Sequence, residues 1–306
     1  MKAALALALL AAGATPASAH GGAADYLGSA ETWTTAPSIT MPLFLAGLLY
    51  WIGTIRVWRR AGHGRGVRRW EVACFWAGWL ALAAALLSPL HWLGERLFTA
   101  HMIEHEIMMT VAAPLIVLAR PGGAYLWALP ASWRPALGGI GQVRALAAVW
   151  RWLTDPLGAT VLHGFAIWVW HAPALFEAAV RIEAVHWLQH ASFLVSALLF
   201  WWALIYGRAR ERGYGAAVFY LFATALHTGF LGILLTVARR PWYPVQTAFA
   251  AEWGLTPLED QQLGGLIMWV PGGMGYFVAA LALAALWIRR SGALAPKGGG
   301  HALPAP

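Results

Sequence analysis

Charge and cysteine are what this chain has least of. Only 11% of its 306 residues are Asp, Glu, Lys or Arg, where a water-soluble domain carries roughly a quarter. A chain so poor in charge, and 60% apolar, has lipid as its principal solvent. The one cysteine, Cys74, lies inside an apolar run. That excludes an internal disulfide and every CxxC metal or redox motif, so metal chemistry would fall to histidine, carboxylate or methionine. A phosphate-binding glycine loop, a dinucleotide fingerprint and a nucleophile–base pair in a convincing setting are also missing, and an enzyme is not expected. The net charge of +8 does not signal nucleic acid. The basic residues sit in short blocks between apolar runs, where they set topology.

What is present reads as an all-α polytopic transmembrane bundle. The start has the form of a signal peptide over residues 1–19: Lys2 as the positive region, an apolar run from Ala3 to Ala14, and the cleavage-type triplet Ala17-Ser18-Ala19. Cleavage there would leave His20 as the new N-terminus. A span needs about 20 mostly apolar residues, and seven runs qualify, near 40–57, 71–89, 97–119, 156–176, 184–206, 215–237 and 264–288. The expected membrane domain is 20–290, with 291–306 as a disordered tail rich in Pro, Gly and Ala. Pro114, Pro173 and Pro271 are expected to kink or end helices. Twenty tryptophans, many at span ends, serve as interfacial anchors. Trp79, Trp168, Trp201 and Trp269 fall deeper and read as packing residues or walls of a buried site.

Orientation follows from the cations. Arg56, Arg59, Arg60, Arg65, Arg68 and Arg69 share the first loop. Arg120, Arg134, Arg144 and Arg151 lie in the third, Arg208, Arg210 and Arg212 in the fifth, and Arg289, Arg290 and Lys297 at the end. The opposite side has only Arg96, Arg181, Arg239 and Arg240. The positive-inside rule then puts the N-terminus outside and the C-terminus in the cytoplasm of a bacterial-type inner membrane. In that topology His20, His91, His101, His105, His171, His186 and His190 gather towards the outer, periplasmic face. His63 and His301 are cytoplasmic, and His163 and His227 lie within spans. Charge sorting does not act on neutral histidines, so this asymmetry needs its own cause.

Two pairs stand out, His101-x-x-x-His105 and His186-x-x-x-His190. Residues four apart share a helix face one turn apart, and imidazoles so placed can bind one metal ion. His171 and His227 are further candidate ligands, and His163 lies deeper. An isolated membrane histidine can equally be a packing tie to a neighbouring helix. Glu104 and Glu106 could complete a metal shell or orient the imidazoles, or face a watery vestibule. Met102 could add a soft thioether, whereas Met108 and Met109 read as packing. Asp260 opens the last span ahead of Gly264, Gly265 and the Pro271-Gly272-Gly273 break. It could cap a helix or serve as an entry group. His20, if exposed by cleavage, would offer an amine and an imidazole together, a chelate for Cu(II).

In order along the chain, His101-Met102-Ile103-Glu104-His105 leads to Ala113-Pro114 and Arg120-Pro121. His186-Trp187-Leu188-Gln189-His190 follows, then Asp260-Gln261-Gln262-Leu263-Gly264-Gly265 with Met268-Trp269. This ordered set resembles the multi-span cytochrome c oxidase assembly factors of the CtaG type, from span two to span seven. The resemblance implies a non-enzymatic role in maturing a haem-copper oxidase by handling copper. Oxidase subunits, and periplasmic copper chaperones, would be its partners. The expected site is copper on His101, His105, His186 and His190, with His171 and His227. Glu104, Asp260, His163 and Met102 would lie behind them or at the entry. Two alternatives stay open: a haem-b protein with histidine axial ligands from separate helices, and a copper transporter using His163 and His227 as an inward path.

Overall fold

The computed structural model describes residues 33–139, 143–207 and 214–294. The expected signal peptide, His20 and the tail beyond Leu294 lie outside the described residues. Among the described residues every regular element is helical. The elements are α1 (Pro37–Ala61), α2 (Arg69–Leu87), the short α3 (Pro89–Gly94) and α4 (Phe98–Ala119). After α4 come three short helices, α5 (Gly122–Ala128), α6 (Arg134–Gly139) and α7 (Arg144–Leu153). Then follow α8 (Pro156–Trp170), α9 (Pro173–Arg181), α10 (Glu183–Ile205), α11 (Tyr214–Thr236) and α12, which runs from Pro257 to Leu294.

Six of these helices are long and apolar enough to cross a membrane: α1, α2, α4, α10, α11 and α12. The seventh expected span is α8 together with α9, which pass the same test only as a pair bent by 74°. At 1.5 Å per residue α8 alone, 15 residues, is about 22 Å long, short of a bilayer core of about 30 Å. The bend falls at Pro173, which cannot continue the hydrogen-bond ladder of α8.

The centre of the bundle is α4, packed by α2, α10 and α12. Its interior is lined by Met108, Met109, Ala112, Ala113, Phe193, Ala197, Phe200, Trp201 and Met268. The outward faces carry Phe44 and Trp51 on α1, Phe219, Phe222 and Leu226 on α11, and Phe277 and Leu281 on α12. Such a belt of exposed apolar side chains suits lipid and not water. Close approach of α11 and α12 depends on missing side chains: a Cβ on Gly232 would stand 2.7 Å from the Gly265 carbonyl oxygen. A Cβ on Gly264 would run into the ring of Phe98.

Two helices widen into π turns where they meet, α4 at Ile107–Ala112 and α12 at Met268–Gly272. Pro114 follows the first and Pro271 lies inside the second. Of the deep tryptophans, Trp201 is buried and donates to the Met109 carbonyl at 2.9 Å, and Trp79 donates to that of Leu43. Trp168 and Trp269 are exposed at the bundle surface. They wall no buried site.

Candidate metal centre

The site is built at the end of the bundle where α4 and α10 begin. Four-residue spacing puts His101 above His105 on α4 and His186 above His190 on α10. The two helices pack so that the rings interleave. Centroids are 4.2 Å apart for His101–His105, 4.3 Å for His186–His190, 4.9 Å for His105–His190 and 5.5 Å for His101–His186. One nitrogen from each of His101, His186 and His190 lies within 4.8 Å of the other two. Metal–nitrogen bonds of about 2.0–2.1 Å bring such donors to roughly 3.4 Å, which small side-chain rotations supply. The four paired histidines of the sequence reading therefore meet.

Nitrogens of three of the four paired histidines also lack other occupations. His101 Nε2, His190 Nε2 and both ring nitrogens of His105 are buried with no hydrogen-bond partner. A buried polar atom without a partner costs on the order of 1–3 kcal/mol. An imidazole lone pair in that state is suited to a metal ion.

Behind the imidazoles stands Glu104, fully buried. Its Oε1 accepts from His91 Nδ1 at 2.8 Å and lies 3.6 Å from His190 Nδ1. A carboxylate on the far nitrogen of an imidazole fixes its tautomer and turns the other nitrogen outward. Gly94 makes room for it: a Cβ there would be 2.9 Å from Glu104 Oε2. His91, on α3, was not among the expected site residues, yet its ring stacks on His186 at 5.7 Å with planes 5° apart. Burial works to lower the pKa of His91. The charge and hydrogen bond of Glu104, with Glu95 behind, overcome that and raise it above the ordinary value. The signal in the sequence was an intramembrane glutamate in need of a partner, and a histidine in the turn before the next span.

The remaining candidates are placed differently. His171 sits at the break between α8 and α9, where its Nδ1 donates to the Ile167 carbonyl at 2.7 Å. Its ring lies against Phe176 and Phe193, beside the cluster. Asp260 touches no imidazole. It accepts from the backbone N–H of Phe98 at 2.8 Å and of Thr99 at 3.0 Å, and from the Thr99 hydroxyl at 2.8 Å. It thus caps the first turn of α4 from another helix. Met102 points away from the imidazoles into an apolar group with Phe98, Phe176, Leu235 and Tyr243. His163 Nδ1 bonds Ser196 Oγ at 3.0 Å and its Nε2 bonds Tyr276 OH at 3.2 Å. It ties α8 to α10 and α12. His227, half-buried, accepts from Trp168 Nε1 at 3.3 Å and lies against Gly164. It does not join the cluster.

A cavity of about 770 Å³ opens beside the site. His91, His101, His186 and His190 form part of its wall, and Leu43, Leu82, Leu86 and Leu194 continue it along the bundle. The imidazoles are therefore accessible without unfolding a helix.

Comparison with known proteins agrees with the ordered motifs. Residues 48–290 match the family described as cytochrome c oxidase caa3 assembly factor (Caa3_CtaG). The chain belongs to this family. It is also 27% identical to an uncharacterised protein of Mycobacterium leprae (strain TN) over 88% of this chain and 41% of that protein. An uncharacterised protein of Mycobacterium bovis and one of Mycobacterium tuberculosis are each 27% identical over 73% of this chain and 35% of theirs. The chain thus spans about two fifths or less of the length of these relatives. No solved structure matches it.

Proposed function

We propose that this membrane protein serves the assembly of a haem-copper cytochrome c oxidase by holding copper on His101, His186 and His190 and passing it on. The single observation that carries this reading is the meeting of three imidazole donors, from two helices, within 4.8 Å. Imidazole suits copper, as it does zinc and iron, and family membership favours copper among the three. The site has no thiolate, and the chain's one cysteine, Cys74, is on α2, away from the cluster. An all-imidazole set holds copper less tightly than thiolates would, which fits a carrier that must release its metal. The cation asymmetry of the loops favours the periplasmic side for the cluster end of the bundle. Copper would arrive there from a periplasmic chaperone and leave to an oxidase subunit in the same membrane.

The haem-b alternative is less well served. Haem on two histidines needs a porphyrin-sized slot between them, whereas the cluster rings lie 4.2–5.6 Å from one another. The transporter alternative would draw on His163 and His227, and His163 spends both nitrogens on neighbouring hydroxyls. The test is copper binding by the purified, detergent-solubilised protein before and after the double change His101→Ala/His190→Ala. Loss of a tightly bound equivalent is expected. Unchanged stoichiometry and affinity would refute the assignment, and a stoichiometric Soret band in the purified protein would favour haem.

A further inference from the structure

The end of the bundle away from the imidazoles has a cavity of its own, of about 730 Å³. Packing explains where it forms. Gly78 lets α2 and α4 cross closely, since a Cβ there would stand 2.9 Å from the Ala112 carbonyl oxygen. The two helices run in opposite directions. Arg69 starts α2 nine residues before Gly78, and Arg120 follows the end of α4, eight residues after Ala112. At 1.5 Å per residue both lie roughly 12–14 Å from the crossing, at one level. The loop before α2 therefore comes to lie beside the end of α4. Arg65 and Arg68 from that loop share the cavity wall with Arg120, Trp70, Glu71 and Tyr206.

Three guanidinium groups around one cavity repel one another unless an anion joins them. The carboxylate on this wall is already committed: Glu71 Oε2 accepts from the backbone N–H of Arg68 at 2.7 Å and closes the first turn of α2. Among the described residues no carboxylate lies within 4.0 Å of the Arg65, Arg68 or Arg120 guanidinium. Arg120 is also held in an uncommon conformation. Its φ is +50°, and among the described residues it is the one non-glycine with positive φ. Glycine would end the helix there without strain. The arginine instead keeps its Cζ 5.1 Å from the centroid of the Tyr206 ring, and Tyr206 OH donates to the Leu118 carbonyl at 3.1 Å. A strained backbone and a tethered ring together fix where this charge lies.

We infer that this cavity is a phosphate site, and that the phosphate is the head group of an anionic membrane phospholipid. A guanidinium presents its N–H donors in a fork that matches two phosphate oxygens. Forks reaching one cavity from two separate loops can close on a single anion. Depth favours a lipid over a free anion. The cavity lies at the ends of the α2 and α4 spans, flanked by Trp70, 44% exposed, and by Tyr206, and such rings settle at head-group level. Basic pockets between spans are known recognition sites for anionic head groups. A lipid held on Arg65, Arg68 and Arg120 would tie the α1–α2 loop to the end of α4. The nineteen residues from His101 to Arg120 put the cavity about 28 Å from the imidazoles along α4, so this inference is independent of the copper reading.

The test uses the full-length protein, delipidated in a neutral detergent and titrated with phosphatidylglycerol, phosphatidylcholine or inorganic phosphate. The melting temperature is read at each step, and retained lipid phosphorus is counted after gel filtration. Phosphatidylglycerol should raise the melt saturably and remain bound, whereas phosphatidylcholine, whose choline cation offsets its phosphate, should do neither. Arg120→Asn removes the guanidinium but suits the left-handed backbone, and should weaken phosphatidylglycerol about tenfold or more. Arg65→Gln, outside any helix, should act in the same direction, and serves if Arg120→Asn does not fold. Arg144→Gln, an equal loss of charge on α7, should change the affinity by no more than about twofold. Equal weakening by Arg144→Gln and the cavity variants would overturn the site in favour of general charge attraction, as would equal binding of the two lipids. Inorganic phosphate binding as tightly as phosphatidylglycerol would overturn the lipid as the source.

Discussion

Replacing Asp260 with alanine should damage the proposed copper site without touching a proposed ligand. Asp260 is fully buried and its carboxylate accepts three hydrogen bonds from the first turn of α4, at 2.8 Å from Phe98 N, 3.0 Å from Thr99 N and 2.8 Å from Thr99 Oγ1. Losing a helix cap costs about 0.5–2 kcal/mol, and each buried donor left unpaired costs on the order of 1–3 kcal/mol. These contributions overlap, and a net loss of about 3 kcal/mol is expected. On the scale of soluble domains that is a fall in Tm of roughly 6–12 °C. His101 lies two residues beyond Thr99, so a frayed first turn moves one of the three donors, and copper affinity should fall about tenfold or more. Asp260→Asn keeps one acceptor oxygen and should lose about half as much stability. The assays are thermal unfolding in detergent and a competition titration with a copper chelator. Two results would refute the reasoning. One is a melt within 1 °C of the parent for Asp260→Ala. The other is a lowered melt with unchanged copper affinity, which would show that the cap supports the fold but does not position the site.

Glu104→Gln should preserve the number of metal ions bound but weaken the triad 10–100-fold, the usual cost of removing the partner that orients a ligand imidazole; the chelator competition used for Asp260 reads it directly. His163→Ala should leave metal binding as it is and lower stability by about 1–2 kcal/mol, since membrane side-chain hydrogen bonds contribute about 0.6 kcal/mol on average and up to about 1.7. A drop in copper stoichiometry for His163→Ala would instead support an inward metal path.

The bundle was largely legible from hydropathy because lipid imposes one requirement on every span, about 20 apolar residues with backbone hydrogen bonds made internally. Only α8 escaped that regularity, since Pro173 divides the fourth run and the hydropathy window cannot see a bend. The paired histidines were legible for a similar reason: four-residue spacing fixes a shared face whatever the tertiary structure. Which faces meet is another matter. Met102 shares α4 with His101 but looks towards Gly264, a direction set by α12. Asp260 was open to two readings, a helix cap or an entry group, and the amides it accepts from belong to a different helix, 161 and 162 residues away. His91 was counted with the outer-face histidines but not assigned to the site, because its partner, Glu104, is 13 residues on.

The last helix does more for the site than its lack of ligands suggests. At one end, Asp260 holds Phe98 and Thr99. At the other, the π turn of α12 meets α4 so closely that a Cβ on Gly272 would stand 2.6 Å from Glu106 Cδ, and one on Gly275 would stand 2.8 Å from Thr110 Cβ. His101 and His105 lie between these two contacts. A metal site is only as good as the fixity of its donors, and donors on a helix clamped at both ends lose little entropy when a metal binds. The widened turns would leave backbone groups unpaired in lipid, where that is costly, but Trp201 donates to the Met109 carbonyl and Thr110 to that of Glu106. Small residues and a proline in α12 therefore belong to the histidine site physically, although none of them reaches an imidazole. That accounts for the Asp260-to-Gly272 stretch and the histidine pairs acting as one unit in this fold.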